Sequence, residues 1–405
     1  MMRSALPLGR RFLIHRASLL AAIWLVGCAA PPQATVVSNE LSFDQAVVQA
    51  TDGLVAQTQK LPAFLAKVEA KLNKRGVVTD PMIDAGSGQQ TVTTGLLEQR
   101  VTGHMVSKYE QFEILPFQIA SLDKAQYLLA GTMTRIQRDG AAGAFRLNLS
   151  LVDMKSGLVV AQSSAVARDD GLDTTPMPYY RDSPILVKDK VIEGYVRTAA
   201  TPPGQRADAI YFERIGTATL IDDATKLYNA ERYQESLGQY KNALATPAGE
   251  QLRVLNGLYL TNWKLGNVGD AETAFGRVVA LGIAYNELGV KFLFNPGGTD
   301  FWSDTKISGA YGMWLRQIAR EGTAANVCMD VVGHTSRTGT AQFNDTLSMQ
   351  RASYIKQRLA TEAAGLAPKT KASGMGFRQN IVGSGTDDVV DALDRRVEFR
   401  IVPCG

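Results

Sequence analysis

The order of strand-like and helix-like segments in residues 287–405 constrains the fold more than any other feature of this chain. A strand pattern and a loop lead into a helix, a second strand and a second helix follow, and two short strands close the sequence. This β-α-β-α-β-β order predicts a two-layer α/β domain. The chain has 405 residues, so we expect an α/β multidomain protein.

A polar motif begins where the second strand of this region ends. Its residues are Gly333-His334-Thr335, Gly339, Asn344, Leu347-Ser348, Arg351-Ala352, Gly374, Gly376 and Arg395-Arg396-Val397-Glu398. The motif resembles the OmpA-like domain of peptidoglycan-associated proteins, and the resemblance extends over most of residues 287–405. It implies non-covalent recognition of the peptide stem of peptidoglycan, usually through diaminopimelate, and no catalysis.

The resemblance also assigns roles to single residues. In the family, an aspartate after the threonine binds the ammonium of diaminopimelate, and an arginine in the following helix binds its carboxylate. The arginine position is Arg351 here, and a planar guanidinium suits the task because it gives two parallel hydrogen bonds. We expect Arg351 in the first turns of its helix, where the helix dipole favours an anion. Thr335, Ser336, Asn344 and Arg396 complete the predicted ligand site.

Ser336 departs from the family, because it stands where most members carry the aspartate. A serine hydroxyl accepts a hydrogen bond but supplies no negative charge. A hydrogen bond to a charged group contributes roughly 1.5–3 kcal/mol and a neutral partner about half, so binding weakens roughly tenfold. Asp345 or Asp300 could replace the carboxylate if the loops bring either close. We expect weak, Arg351-dependent binding that Ser336→Asp strengthens.

The amino-terminal 27 residues are typical of a targeting signal. Four arginines and no acidic residue precede an apolar run that ends at Cys28. The run is too short for a spanning helix, which needs ~20 residues. Leu25-Val26-Gly27-Cys28 resembles the lipobox of bacterial lipoproteins, which implies cleavage before Cys28 and a diacylglycerol on its sulfur. The alternative is an ordinary secretory signal that contains a cysteine.

The residues after the signal are expected to form a flexible tether, 28–40. By the same resemblance, the absence of aspartate after Cys28 implies a lipid-anchored protein of the outer membrane that faces the periplasm. Without the signal, 39 Lys and Arg residues balance 39 Asp and Glu residues. A neutral chain offers no extended basic surface, so we expect no nucleic-acid partner.

The few histidines and cysteines argue against a metal site. They are His15, His104, His334, Cys28, Cys328 and Cys404. They are too scattered for a zinc cluster, and the sequence contains no nucleophile–base motif or phosphate-binding glycine loop. We therefore expect no metal, no cofactor and no enzymatic activity.

Residues 41–215 predict an α/β domain with antiparallel strands. Helical spacing marks residues 41–73 and 93–109, and three β-branched runs between 125 and 168 predict a meander. The "TDP" strand, the following amphipathic helix, "LLAGT" and "LSLVDMKSG" loosely resemble the periplasmic domain of flagellar and curli-export outer-membrane lipoproteins. Residues 168–206 are expected to be a loop-rich connection.

Residues 216–286 are helical and resemble tetratricopeptide repeats. Ser236 and Ala271 occupy corresponding small positions 35 residues apart, against a family period of ~34. The alternative is a plain helical bundle. Two repeats bury too little surface to stand alone, so we expect them to pack on a neighbouring domain. Together with residues 41–215 they are expected to hold unidentified envelope proteins.

Cys328 and Cys404 are expected to form a disulfide. In the OmpA-like family the end of the strand at Gly333 lies near the start of the strand after Arg396. The two strands then run antiparallel, and their far ends lie side by side, within the ~4.4–6.8 Å that a disulfide needs between Cα atoms. The alternative is two buried free thiols.

Taken together, these features predict a periplasmic lipoprotein that binds peptidoglycan and scaffolds or anchors an envelope assembly. The alternatives are a simple tether between outer membrane and cell wall, or an OmpA-like domain that has lost peptidoglycan binding and acts only through protein contacts.

Overall fold

The computed structural model of the chain describes residues 40–58, 74–136, 143–295, 297–388 and 390–404. The predicted signal (1–27), most of the tether and Cys28 lie outside the described residues. The second half of the helical segment predicted for residues 41–73 also lies outside them, beyond residue 58.

A mixed sheet occupies the first part of the chain. Its strands are β1 (Arg75–Thr79), β2 (Ile83–Asp84), β3 (Phe112–Leu115), β4 (Tyr127–Ile136), β5 (Ala144–Asp153) and β6 (Val159–Arg168). The order is β3-β1-β4-β5-β6, and β2 also pairs with β4. The predicted meander β4-β5-β6 is antiparallel. The sheet is not antiparallel throughout, because β1 pairs in parallel with both β3 and β4.

Helices cover both faces of this sheet. They are α1 (Phe43–Ala56), α2 (Val92–Lys108), α3 (Ile119–Leu122), α4 (Pro178–Asp182), α5 (Lys190–Ala199) and α6 (Ala209–Phe212). Val77 packs in one core with α1 and α2, whereas its neighbour Val78 packs in another with α5. Successive strand residues point to opposite faces, so β1 is buried on both.

The connection predicted to be loop-rich, residues 168–206, contains two short helices, of which α5 is the longer. The Asp189 side chain caps the helix by accepting hydrogen bonds from the backbone N–H groups of Val191 and Ile192. Tyr195 is buried against the sheet, and its hydroxyl donates to the Gly131 carbonyl at 2.9 Å. The flanking prolines and glycines concealed a short amphipathic helix.

Four helices follow, as expected for residues 216–286. They are α7 (Ile215–Asn229), α8 (Tyr233–Leu244), α9 (Leu252–Lys264) and α10 (Val268–Tyr285). Ser236 and Ala271 are fully buried, and the Ser236 hydroxyl donates to the Ala224 carbonyl at 2.8 Å. The tetratricopeptide assignment stays a prediction.

The second sheet is formed by β7 (Leu288–Val290), β8 (Cys328–Gly333), β9 (Thr370–Gly374) and β10 (Val397–Val402). Its helices are α11 (Thr305–Ser308), α12 (Tyr311–Ala324) and α13 (Ala341–Glu362). The strand order is β7-β10-β8-β9. Strand β10 is antiparallel to β7 and β8, and β8 is parallel to β9. The main elements follow the predicted β-α-β-α-β-β order.

The free edge of β7 is covered by residues 183–187 from the connection. Ile185 pairs with Val290, and the Lys291 backbone N–H donates to the Pro184 carbonyl at 2.7 Å. The core of the four-helix region is also continuous with that of the second sheet, where the Trp314 indole donates to the Tyr259 hydroxyl at 2.8 Å. The predicted domain boundaries at residues 41–215, 216–286 and 287–405 stay predictions.

The predicted disulfide joins Cys328 to Cys404, with Cα atoms 5.2 Å apart. Cys328 pairs with Val402 in the β8–β10 register, and Gly333 pairs with Val397 at the other end. The bridge therefore closes the end of the sheet opposite the polar motif.

Among the described residues, no helix has both the length and the apolar character needed to cross a membrane.

Candidate functional site

Two motif glycines allow α13 to lie directly against the ends of β8 and β9. A Cβ atom at Gly333 would lie 2.2 Å from the Ser348 carbonyl oxygen, and one at Gly374 would lie 2.6 Å from the Met349 nitrogen. Any larger residue would push the helix away, since such separations are far below van der Waals contact. The close approach brings the face of α13 that carries Arg351 to the polar end of the sheet.

The segment after β8 is fixed by its backbone. The His334 N–H donates to the Arg396 carbonyl at 3.0 Å, and the Thr335 N–H donates to the Gly376 carbonyl at 2.9 Å. Thr335 and Ser336 are both buried. The Thr335 hydroxyl oxygen finds no hydrogen-bond partner within the described part of the chain.

Asn344 holds this segment in place. Its side-chain amide donates to the Thr338 carbonyl at 2.8 Å and to the Thr340 carbonyl at 3.1 Å. Thr340 in turn caps α13 by accepting from the Phe343 N–H at 3.2 Å. Asn344 therefore positions the loop between β8 and α13, and its direct contact with a ligand stays a prediction.

Arg351 is only 6% exposed and lies beneath the loop after β7. Its Nε donates to the Gly298 carbonyl at 3.1 Å, its Nη2 donates to the Asn295 carbonyl at 3.3 Å, and the guanidinium stacks on Phe294 at 4.8 Å. No carboxylate of the described residues forms an ion pair with Arg351. The Arg351 Nη1 donates no hydrogen bond to any described residue. Burial, helped by repulsion from Arg395, lowers the pKa of Arg351 to about 10, so it stays cationic at neutral pH.

The prediction that the helix dipole favours an anion at Arg351 is wrong. Helix α13 begins at Ala341, so Arg351 lies ten residues beyond its first residue. The dipole acts only within the first turn, and it cannot favour an anion at Arg351. The polar start of the helix conceals its true beginning in the sequence.

Arg396 belongs to a partly buried charge cluster around Glu398. Arg396 Nε donates to Glu398 at 2.8 Å, and Arg400 Nη2 donates to the second carboxylate oxygen at 2.7 Å. The His334 ring lies 3.5 Å from Glu398. Burial would raise the pKa of Glu398, but His334 and the two arginines outweigh it and hold that pKa far below its usual range. At 4% exposure Arg396 braces the sheet, and its ligand contact stays a prediction.

Asp387, which the sequence reasoning missed, lies beside Ser336. The Ser336 hydroxyl donates to Asp387 Oδ1 at 2.8 Å, and Arg395 Nη1 donates to the same oxygen at 2.8 Å. Of the two acids proposed from the sequence, Asp345 is paired with Arg378 at 2.6 Å. Asp300 contacts the loop beside Arg351 through its backbone carbonyl, which accepts from the Asn295 N–H. The signal that could have found Asp387 is the acidic run before Arg395.

The acidic run, residues 387–394, also holds its own loop in place. Asp391 is fully buried, accepts the Asp387 N–H at 3.1 Å and pairs with Arg395 at 2.8 Å. Asp394, also fully buried, accepts the backbone N–H groups of Ile381, Val382 and Gly383. Carboxylates placed this way fix the loop that carries Asp387.

No group of three or more His, Cys, Asp or Glu side chains could hold a metal ion in the portion of the chain that the structure describes. The polar end of the sheet instead brings together the buried guanidinium of Arg351 and the half-exposed carboxylate of Asp387. Such an arrangement can bind charged groups through hydrogen bonds.

The second sheet and its helices therefore form a two-layer α/β arrangement with a cluster of charged residues at one end. Solved structures similar to this chain include the peptidoglycan-associated lipoprotein from Burkholderia pseudomallei, with 21% identity over 28% of this chain and 89% of that chain and a TM-score of 0.24. The cell wall anchor of the T6SS from Pseudomonas aeruginosa has 20% identity over 29% of this chain and 80% of that chain, with a TM-score of 0.24. A putative MotB like protein from Desulfovibrio vulgaris has 19% identity over 38% of this chain and 97% of that chain, with a TM-score of 0.25.

No family model matches the chain, and no curated protein matches it. We therefore infer the function from the residues of the site.

Proposed function

We propose that the domain formed by residues 287–404 binds the peptide stem of peptidoglycan non-covalently, with Arg351 holding a stem carboxylate. The observation that carries this proposal is the state of Arg351, which is buried and cationic and has no carboxylate partner among the described residues. A buried charge is unfavourable unless it is paired, so a carboxylate is the complement that the site lacks.

The surroundings of Arg351 leave hydrogen-bond donors for a carboxylate. Gly298 and Asn295 engage two of its nitrogens, and Phe294 covers one face of the guanidinium. The remaining donors lie in the plane of the guanidinium, where a carboxylate can meet them with short, charge-assisted hydrogen bonds. A diaminopimelate-type stem presents such a carboxylate, and the resemblance of the motif to the OmpA-like family supports a position beside Thr335 and Ser336.

We expect Arg351→Ala to reduce cosedimentation of the full chain with purified peptidoglycan sacculi at least tenfold. The reason is that charge-assisted hydrogen bonds contribute roughly 1.5–3 kcal/mol each. Arg358→Ala is the matched control, because Arg358 lies on the same helix and stacks on Phe301 at 5.6 Å. It should bind as the wild type does.

A folded Arg351→Ala variant that binds sacculi like the wild type would contradict the proposal. It would favour the second candidate, a domain that acts only through protein contacts. The observation on the side of that candidate is the 6% exposure of Arg351, which leaves little of the guanidinium in reach of a ligand.

We also propose that the protein is a lipoprotein of the outer membrane, anchored through Cys28. The support is the basic, apolar and Leu-Val-Gly-Cys order of the first 28 residues. Cys28→Ala is expected to yield uncleaved precursor or soluble protein in envelope fractionation, whereas Cys28 itself should incorporate labelled palmitate. A correctly cleaved Cys28→Ala variant that still sediments with the outer membrane would count against the anchor.

A scaffold role accounts for the regions ahead of the binding domain, including the tetratricopeptide-like helices. The core shared by the four helices and the second sheet supports it, because a partner held on those helices would be fixed relative to the bound wall. A pull-down from solubilised envelopes, with and without muramidase, separates protein partners from proteins that are held only through peptidoglycan.

A further inference from the structure

We infer that Asp387 supplies the anion that Ser336 lacks, so that the site binds an ammonium and a carboxylate together. This inference rests on the proposed function. It assigns the ammonium to a residue from a different loop, 51 positions further along the chain than Ser336.

The contact between Ser336 and Asp387 is the first observation that supports this role of Asp387. The buried Ser336 hydroxyl donates to Asp387 Oδ1 at 2.8 Å. The Asp387 carboxylate therefore lies directly beside the Ser336 side chain. The Asp387 side chain is 48% exposed, and its Oδ2 accepts no hydrogen bond from the described residues. Serine thus anchors one oxygen of the carboxylate and leaves the other toward solvent.

The charge balance of the site is the second such observation. Arg395 is shared between two carboxylates, since its Nη1 lies 2.8 Å from Asp387 Oδ1 and 2.8 Å from Asp391 Oδ1. One arginine cannot neutralise two acids, and Asp391 is fully buried. Asp387 is therefore only partly neutralised by Arg395, and Arg351 lies close enough to Asp387 for the two charges to interact. A zwitterionic ligand complements this pair.

The backbone conformation of Asp387 is the third observation that supports its role. Its φ angle is 58°, a left-handed conformation that is uncommon outside glycine. A residue in such a conformation is held there by the surrounding structure. The N–H of Asp387, bonded to the buried Asp391 carboxylate at 3.1 Å, holds it there. The carboxylate is thus fixed before a ligand arrives, which lowers the entropy lost on binding.

This geometry reverses the sequence expectation that Ser336→Asp strengthens binding. An aspartate at position 336 would face Asp387 at hydrogen-bond distance, and two carboxylates so close cannot both stay ionised without a penalty. The single substitution should leave binding unchanged or weaken it. If Asp387 is first made neutral, the same substitution should restore the missing charge.

The experiment measures the affinity of the full chain for purified sacculi in four forms: wild type, Asp387→Asn, Ser336→Asp and the double variant. We expect Asp387→Asn to bind roughly tenfold more weakly and the double variant to regain most of that loss. Asp388→Asn is the matched control, because Asp388 is the exposed neighbour whose carboxylate accepts from Thr386 and the Val390 N–H. Thermal melts show whether each variant is folded.

Chemical modification of the ligand gives an independent arm. Acetylating the free amines of the sacculi removes the ammonium, so wild-type affinity should fall to that of Asp387→Asn. The affinity of Asp387→Asn itself should not change on acetylation, because its partner group has already lost its charge.

The inference is overturned if folded Asp387→Asn binds like the wild type, or if Ser336→Asp strengthens binding equally with and without Asp387. If Arg351→Ala still loses binding in either case, the proposed function stands and only the role of Asp387 fails. If the wild type itself does not bind sacculi, both fail.

Discussion

Serine substitution of Cys328 and Cys404 together is expected to lower the free energy of unfolding by roughly 4 kcal/mol. The disulfide closes a ring with a sequence separation of 76 residues, so breaking it frees many conformations of the unfolded chain. In the folded protein, the register of β8 and β10 keeps the two strands together without the bond. Urea unfolding of the second-sheet region, in wild type and double-serine protein, measures the difference.

Reduction provides the control for this prediction. A thiol reductant should lower the stability of the wild type to that of the double-serine variant and leave the variant unchanged. Binding to sacculi should persist in both while they are folded, because the bond lies at the end of the sheet away from Arg351. Equal stability with and without reductant, together with two alkylatable thiols in the untreated protein, would show that the bond does not form.

Asp394→Ala is expected to destabilise the protein by about 3 kcal/mol or more. The Asp394 carboxylate accepts three backbone N–H groups, at 2.6 Å from Ile381, 3.0 Å from Val382 and 2.8 Å from Gly383. An unsatisfied buried donor costs about 1–3 kcal/mol, and alanine cannot accept any of the three. Denaturant unfolding monitored by circular dichroism gives the change.

The same substitution should also weaken binding to sacculi in the fraction that remains folded, because the loop that carries Asp387 loses its support. Asp388→Ala tests whether any aspartate of this run would do. Its carboxylate is exposed, and we expect a loss below about 1 kcal/mol. Similar losses for Asp388→Ala and Asp394→Ala would mean that the buried hydrogen bonds of Asp394 contribute little.

The sequence predicted those parts of the fold that depend on periodicity and on spacing. Three β-branched runs located the meander β4-β5-β6, and strand-like and helix-like segments gave the order of elements in the second sheet. The pairing of Cys328 with Cys404 came instead from the resemblance to the OmpA-like family, which implies that the far ends of β8 and β10 lie side by side. Gly333 and Gly374 were recognised as motif residues, and the close approach of α13 now gives their physical reason.

The missed features depend on contacts between distant segments. Asp387 reaches Ser336 only because buried aspartates fold the preceding loop, and no local pattern encodes that contact. The parallel pairing of β1 with β3 and β4 follows from the crossover through α2, which strand patterns alone do not reveal. Helix α5 was concealed by nearby prolines, although Val191, Ile192 and Tyr195 have helical spacing.

The pairing of residues 183–187 with β7 determines where a stable fragment of this protein can begin. A fragment that began at residue 287 would leave the Lys291 N–H and the Gly289 carbonyl without their partners at Pro184 and Leu186. Unpaired strand edges of this kind recruit other chains, so such a fragment would tend to aggregate whatever its affinity for peptidoglycan. Recombinant fragments of the binding domain should therefore start ahead of Pro178, so that they keep residues 183–187.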